Sequence, residues 1–210
     1  MDDTFENIDI YDFDGTLYKS DSSVDFCFFV YKKKPLRIFY LLIQLLWFIP
    51  YKINIISTIR YKNIFFCFLN GLDKEQVEKL VDSFWEEQVG SDFNAKLINK
   101  ISHAEKDTKS ICISASPEIL LKKITKELGL DLLIGTEMTF QNKKWTISKN
   151  CRGKEKINRL HKACNFKKIA HAYSDNKDDH ELLKKANKGY LVFFKKNKWG
   201  LKKINKTNIL

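Results

Sequence analysis

Cysteine pairs of the C-x-x-C type are missing from the sequence, although it contains five cysteines. The spacing therefore indicates neither a zinc site nor a disulfide framework. Reduced thiols in a cytoplasmic protein are the expectation. No apolar stretch follows the acidic start Met1–Thr4, which predicts no secretory signal. Without internal repeats or low-complexity linkers, 210 residues suffice for one domain, or for one domain carrying an insertion.

A long apolar run is also lacking, because a standard membrane-spanning helix needs about 20 apolar residues. The longest run, Ile38–Ile49, is apolar except for Gln44 and is followed by Pro50, which we expect to end it. The run is too short to span a bilayer as a standard helix. Basic residues flank it on both sides, at Lys32–Lys34, Arg37, Lys52 and Arg60.

Three interpretations stay open for residues 24–70. They form a pair of buried helices in a cap or core, an interfacial helical hairpin, or a hairpin that enters or crosses the bilayer. We favour the interfacial hairpin, with its Phe, Trp47 and Leu side chains in the acyl boundary and its cations facing lipid phosphates. Basic residues on both sides argue against crossing, because they give no difference between inside and outside.

Basic residues outnumber acidic ones, with 37 Lys and Arg against 26 Asp and Glu and a formal net charge of +11. This excess favours anionic partners: phosphate esters, anionic lipid surfaces or nucleic acid. Lysines interleaved with aromatic residues at 190–199 are the one feature that favours nucleic acid, and no recognised binding module accompanies them. We therefore expect a phosphate-ester substrate and an anionic membrane surface as partners, and no nucleic acid.

Two carboxylates follow the first predicted strand. Ile8 and Ile10 alternate as in a β-strand, so Asp12 and Asp14 start on the same face, just before Gly15. Two buried like charges are unfavourable unless a cation or a chemical role offsets them. A divalent metal held by oxygen ligands is the simplest partner. An ordinary Asp-Gly turn with solvated carboxylates is the alternative.

Polar clusters follow further predicted strands in the same manner. The strand Ser110–Ser114 runs into a helix with Ser116 as its predicted N-cap, a place suited to phosphate. Three carboxylates, among them Asp175 and Asp179, follow the strand Ile169–Tyr173. Taken singly, each cluster also fits a capped turn or an acidic helix start. Alternating strands and helices predict an α/β fold with a doubly wound, mostly parallel sheet, whose strand ends meet at one edge.

The order of these motifs resembles the haloacid dehalogenase superfamily. The matching segments are D-F-D-G-T-L at 12–17, D-S at 21–22, S-A-S-P at 114–117, C-x-G-x-E-K at 151–156 and Y-S-D-x-x-x-D at 173–179. The details resemble its phosphoserine-phosphatase-like branch, and most of all the bacterial phosphatidylglycerophosphate phosphatases of the C type, which share the hydrophobic, basic-flanked insertion. The resemblance implies a Rossmann-like core of residues 1–17 and 101–210, with a helical cap at 18–100 that contains the hairpin.

The resemblance also implies catalytic roles. Asp12 would attack phosphorus to give an aspartyl-phosphate, and Asp14 would protonate the leaving group and then activate water. Ser114 would donate a hydrogen bond to a phosphoryl oxygen, and Lys156 would neutralise its charge, with Lys154 as the alternative lysine.

Binding roles follow from the same resemblance. Gly15 and Thr16 would shape the turn beside the phosphate, with Ala115 and Lys156 also in the phosphate site. Mg²⁺ is the implied cofactor, and its ligands would be Asp12, the backbone carbonyl of Asp14, Asp175 and, in support, Asp179.

The expected function is hydrolysis of a lipid phosphate monoester, such as phosphatidylglycerophosphate, by a Mg²⁺-dependent enzyme on the cytoplasmic face of the membrane. One alternative is a soluble phosphatase for phosphoserine or another small phosphoester, with residues 24–70 as a dry cap. A second is a non-catalytic basic adaptor for membranes or nucleic acid, which would not explain the acidic residues of the first and last motifs. The sequence does not give the oligomeric state.

Overall fold

Strand β1 (Phe5–Tyr11) lies at the centre of a seven-stranded sheet, and its side chains from Ile8 onward are buried on both faces. The computed structural model describes residues 4–88 and 92–204; residues 1–3 of the acidic start and the predicted core limits at 1 and 210 lie outside these ranges. From one edge to the other, the strands are β4 (Lys144–Lys149), β3 (Leu132–Gln141), β2 (Thr108–Pro117), β1, β5 (Phe166–Ser174), β6 (Lys188–Lys195) and β7 (Lys198–Lys203).

The five inner strands pair in parallel, and the edge strands β4 and β7 pair antiparallel. The helices after β2 are α6 (Glu118–Glu127), α7 (Lys154–Ala163) and α8 (His180–Lys185). Ile8 and Ile10 pack in one cluster with Leu160 of α7, whereas Tyr11 packs in a second cluster with Leu120 of α6. Helices therefore cover both faces, which confirms the predicted α/β, mostly parallel fold.

Between β1 and β2 the chain is helical, where the cap is predicted. The helices are α1 (Ser22–Lys33), α2 (Phe39–Lys52), α3 (Thr58–Phe65), α4 (Lys74–Gln88) and α5 (Ala95–Ser102). Helix α1 begins where the Asp21 carboxylate accepts hydrogen bonds from the amides of Ser23 and Val24. Helix α4 begins with a capping box, in which Asp73 and Gln76 exchange side-chain-to-backbone hydrogen bonds. The division of the chain into core and cap remains a prediction.

One local expectation is wrong, because Pro117 rather than Ser116 occupies the N-cap position of α6. Helix α2 continues through Pro50 to Lys52, beyond the end of the apolar run. Strand β7 forms a hairpin with β6. The turn between them places Lys196 and Asn197 at φ of 49° and 58°, as a tight hairpin requires. Without a glycine in that turn, the sequence carries no strong hairpin signal.

Candidate active site

A cavity of about 620 Å³ opens at the carboxyl ends of β1, β2 and β5. Because parallel strands end at the same edge, residues far apart in sequence meet there. The predicted site residues that line it are Asp12, Asp14, Gly15, Ser114, Ala115, Lys156, Asp175 and Asp179. Thr16 is fully buried and is not among the lining residues.

Lys156 joins two of the predicted carboxylates at the base of the cavity. Its Nζ lies 3.0 Å from Asp12 Oδ1 and 2.6 Å from Asp179 Oδ2. The Ser174 hydroxyl lies 3.1 Å from Asp12 Oδ2 and 2.7 Å from Asp179 Oδ2, so it can donate to either. Lys154, the alternative lysine, points outward and pairs with Glu181. Lys156 is therefore the lysine that the fold brings to Asp12.

Burial and the mutual attraction of their charges both shift the pKa values of Asp12 and Lys156. Burial raises the pKa of Asp12 to about 7, although Lys156 lowers that pKa. Burial lowers the pKa of Lys156, but Asp12 and Asp179 outweigh it and hold that pKa above its ordinary value. The buried ammonium and the Asp12 carboxylate thus stabilise each other's charge.

Asp14 has different partners from Asp12. Its Oδ1 accepts a hydrogen bond of 2.8 Å from the amide of Ser22, and its Oδ2 accepts one of 2.5 Å from the Ser116 hydroxyl. Burial, and then the charge of Asp21, raises the pKa of Asp14 to about 6. A carboxyl with that pKa can exchange protons near neutral pH. The contact of Ser116 with Asp14 has no signal in the sequence, where Ser116 is predicted only as an N-cap.

The turn after Asp14 holds Asp175 against the site. Gly15 has a φ of +68°, and a Cβ there would overlap the carboxylate of Asp175. The Thr16 hydroxyl accepts a 3.0 Å hydrogen bond from the amide of Asp175. Gly15 and Thr16 therefore shape the site by placing Asp175.

We expect Gly15→Ala to lower the free energy of unfolding by more than Gly129→Ala. Both glycines have a positive φ, which costs an alanine about 1–2 kcal/mol. At Gly129 the added Cβ would meet Ile101 at an ordinary 3.7 Å, whereas at Gly15 it would also displace Asp175. Urea denaturation of both variants measures the difference. Equal losses would contradict the close approach of Asp175 to Gly15.

Beside Asp14, the end of β2 forms a compact turn. The Ser114 hydroxyl accepts a 3.0 Å hydrogen bond from the amide of Ser116. The carbonyl of Ala115 accepts hydrogen bonds from the Thr136 hydroxyl at 2.7 Å and from Lys62 Nζ at 2.8 Å. Ser114 and Ala115 thus face the cavity, and a lysine from the predicted cap reaches them.

Helix α3 lines the cavity with one face. Thr58, Tyr61, Lys62 and Phe65 recur at helical spacing, and all four line the cavity. Sequence analysis missed Lys62, although this spacing was available as a signal. Arg152, which lies just before α7, donates hydrogen bonds to Asp178 at 2.9 Å and to the Tyr51 hydroxyl at 3.3 Å.

Helix α2 exposes most of its apolar side chains and buries one polar one. Gln44 is its one buried residue, accepting a hydrogen bond from the Tyr31 hydroxyl and donating one to the carbonyl of Phe65. Leu42 and Leu46 are 66% and 72% exposed. Within residues 4–88 and 92–204, no helix is long and apolar enough to cross a membrane.

The flanking cations are only partly available to lipid. The Arg37 guanidinium donates to the backbone carbonyls of Phe68 and Asn70, contrary to its expected contact with lipid phosphates. Lys32 and Lys33 both pair with Glu87. By contrast, the cations of Lys52 and Arg60 lie over the rings of Phe48 and Trp47, respectively, on the apolar hairpin.

The cavity offers the types of oxygen ligand that Mg²⁺ prefers. Asp12 and Asp175 offer carboxylates, and Asp14 precedes the turn with its carbonyl at the same strand end. Within the described part of the chain, no three His, Cys, Asp or Glu side chains form a metal-binding group. The Mg²⁺ ligands implied by the family resemblance do not require a third side chain, because the backbone carbonyl of Asp14 and water would complete the coordination. The Asp179 carboxylate already accepts hydrogen bonds from Lys156 and Ser174, which fits its expected supporting role beside the metal.

Residues 10–184 match the haloacid dehalogenase-like hydrolase family. The protein CicA of Caulobacter vibrioides is 34% identical over 94 residues, and this match spans 42% of each chain. Among solved structures, a Bordetella pertussis protein of unknown function gives a TM-score of 0.72 at 15% identity over 86% of both chains.

Two further structures share the fold. A phosphoserine phosphohydrolase-like protein from Francisella tularensis gives a TM-score of 0.56 at 14% identity, covering 87% of this chain and 85% of its own. A substrate-bound phosphoserine phosphatase gives 0.52 at 16% identity, covering 88% and 84%. At these identities the likeness concerns the fold.

Proposed function

The chain belongs to the haloacid dehalogenase-like hydrolases, and from this premise we propose that it removes the phosphate monoester of a lipid headgroup at a membrane surface, with Mg²⁺ as cofactor. The predicted superfamily and the prediction of a hydrolytic enzyme are confirmed, whereas the particular likeness to the phosphatidylglycerophosphate phosphatases stays a prediction. One observation carries the lipid proposal: Phe48 and Tyr51 of the exposed apolar helix α2 also line the cavity that holds Asp12 and Lys156.

The chemistry is assigned to the two carboxylates of the first motif. Asp12 attacks phosphorus, and the bond to the leaving oxygen breaks as Asp14 protonates that oxygen. Water then attacks the aspartyl-phosphate while Asp14 takes its proton, and phosphate leaves. The contrast in their partners supports this division, because Asp12 is paired with Lys156 whereas Asp14 is held by neutral donors.

The transferred phosphoryl group requires positive charge and hydrogen-bond donors. Lys156 supplies a fixed cation beside Asp12, and Ser114 supplies a hydroxyl at the end of β2. The Asp12 and Asp175 carboxylates and the Asp14 carbonyl would hold Mg²⁺, which when bound would neutralise phosphoryl oxygens. Asp179 would act in support by orienting Lys156.

The membrane surface is proposed from the orientation of helix α2. Its 14 residues make a rod about 21 Å long, and nearly its whole outer surface is apolar. Exposed apolar patches of this kind mark interaction surfaces. A lipid surface fits, because Lys52 and Arg60 border the patch as an interfacial helix requires. A lipid headgroup would then reach the cavity beside Phe48.

A phosphate-release panel tests the proposal. The substrates are phosphatidylglycerophosphate in anionic vesicles and soluble phosphoserine, each with Mg²⁺ and with a chelator. The first comes from the resemblance to the phosphatases of that lipid, and the second from the fold neighbours named for phosphoserine. We expect turnover of the lipid that is lost with the chelator. Turnover of phosphoserine alone, unaffected by vesicles, would instead favour a soluble small-phosphoester phosphatase.

We expect Leu42→Ser/Leu46→Ser to weaken binding to anionic vesicles by at least about 100-fold. Burying each leucine in the acyl boundary contributes about 1.5–3 kcal/mol, which serine does not provide. Vesicle co-sedimentation measures the partition coefficient. The matched control is Phe193→Ser/Leu201→Ser, which changes two exposed apolar residues of β6 and β7. Equal binding by both double variants and the unchanged protein would contradict docking through α2.

A further inference from the structure

Lys62 reaches from the predicted cap into the cavity and finds only neutral partners there. Its Nζ donates to the Ala115 carbonyl and to Asn150 Oδ1, both at 2.8 Å, and lies 3.4 Å from the Thr136 hydroxyl oxygen. No ion pair of Lys62 occurs among the residues that the structure describes. Burial, and then the charge of Arg152, lowers the pKa of Lys62 to about 8. An ammonium in such surroundings is stabilised when an anion binds.

Arg152 is a second cation at the same cavity. It is held in place by Asp178 and by the Tyr51 hydroxyl, so its position is fixed from the core and from α2. Two neighbouring cations repel each other, and an anion between them would offset that repulsion. Neither cation has an ion pair with Asp12, whereas Lys156 does. Both cations thus line the cavity apart from the Asp12–Lys156 pair of the predicted phosphoryl site, with Arg152 paired to Asp178 and Lys62 held by neutral oxygens.

We propose that Lys62 and Arg152 form a subsite for a second anionic group of the substrate, one that is not transferred. The group is an oxyanion next to the phosphate monoester, either a phosphodiester or a carboxylate. The longest contact of Lys62, to Thr136, is the one an oxyanion replaces, because that hydroxyl already donates to Ala115. The subsite rests on the proposed phosphatase function and determines which phosphomonoesters the enzyme prefers.

The test compares three soluble phosphomonoesters. Glycerol phosphate has no second anion, glycerophosphoglycerol phosphate adds a phosphodiester, and phosphoserine adds a carboxylate. The unchanged protein is expected to prefer one doubly anionic substrate in kcat/KM. Lys62→Met is expected to reduce that preference by ~10–100-fold, through KM rather than kcat, because a charge-assisted hydrogen bond is lost. Whichever doubly anionic substrate loses its advantage identifies the group that binds.

Two further variants separate the subsite from a structural role of Lys62. Asn150→Asp keeps Lys62 but gives it a permanent carboxylate at 2.8 Å, so the preference should again fall. Lys62→Arg keeps the positive charge and should therefore retain most of the preference for the doubly anionic substrate. Lys79→Met removes an exposed cap lysine that pairs with Glu75, and should leave the preference unchanged. Equal losses on all three substrates in Lys62→Met, with no effect of Asn150→Asp, would overturn the subsite.

Binding to an inactive protein distinguishes failure of the subsite from failure of the proposed function. Calorimetry on Asp12→Asn, with and without Lys62→Met, should give a Kd for the preferred doubly anionic substrate that differs by at least ~10-fold. That difference would support the subsite even if the unchanged protein released no phosphate. Equal Kd values would overturn the subsite and leave the phosphatase assignment standing wherever the unchanged protein shows turnover.

Discussion

Asp12→Asn is expected to lower kcat for phosphate release by ~10³–10⁶-fold. The amide cannot form the acyl-phosphate bond, and removal of a nucleophile has effects of this size in other covalent enzymes. The fold should persist, because an amide oxygen can still accept the hydrogen bond from the amide of Phe13. Phosphate release under saturating substrate measures the loss, and circular dichroism checks the fold.

The matched control for Asp12→Asn is Asp82→Asn, which neutralises an exposed carboxylate on α4 that pairs with Lys123. We expect it to retain full activity. Acid quenching during turnover should also trap a phosphoryl group on the unchanged protein, located by mass spectrometry on Asp12, and none on Asp12→Asn. Turnover in Asp12→Asn within tenfold of the unchanged protein would contradict the assignment of Asp12 as nucleophile.

The base of the site was predictable because it depends on periodicity. Alternation along β1 places Asp12 and Asp14 at a strand end, and the order of strands and helices brings Asp175 to the same edge. These inferences use only neighbours along the chain and the geometry of a parallel sheet, whereas Lys156 was implied by the family resemblance. The polar base of the cavity therefore follows from local patterns plus one topological rule.

The upper part of the site was not predictable in this way. The hydrogen bond from Ser116 to Asp14 joins residues 102 positions apart, and the one from Lys62 to Ala115 joins residues 53 apart. The first depends on how the ends of two core strands approach each other and the second on how the cap packs on the core, and no period in the sequence specifies either. Helix α2 was recognisable as apolar, but no pattern in the sequence indicates that Gln44 is its buried residue while Leu42 and Leu46 stay exposed.

Lys156→Met is expected to lower the free energy of unfolding by about 3–5 kcal/mol at pH 8.5. Lys156 is only 2% exposed, and its removal leaves Asp12 and Asp179 buried without their cation. Losing one partner of a buried ion pair has this cost because the remaining charge is uncompensated. Urea denaturation without Mg²⁺ measures the change. Lys154→Met, which removes an exposed lysine two residues away, is the control and should cost less than about 0.5 kcal/mol.

The loss of unfolding free energy in Lys156→Met should grow as the pH rises. The folded-state pKa of Asp12 lies at about 7, above its ordinary value of 3.8, and Lys156 is the group that lowers it most. In the variant this pKa rises further, so the protonated carboxyl is the more stable form over a wider range. Stability that is present at low pH is then lost as the pH rises through the folded-state pKa. We expect a small loss of unfolding free energy at pH 5.5 and a larger one above pH 7. A loss that does not change with pH would mean that Lys156 stabilises the fold through packing alone.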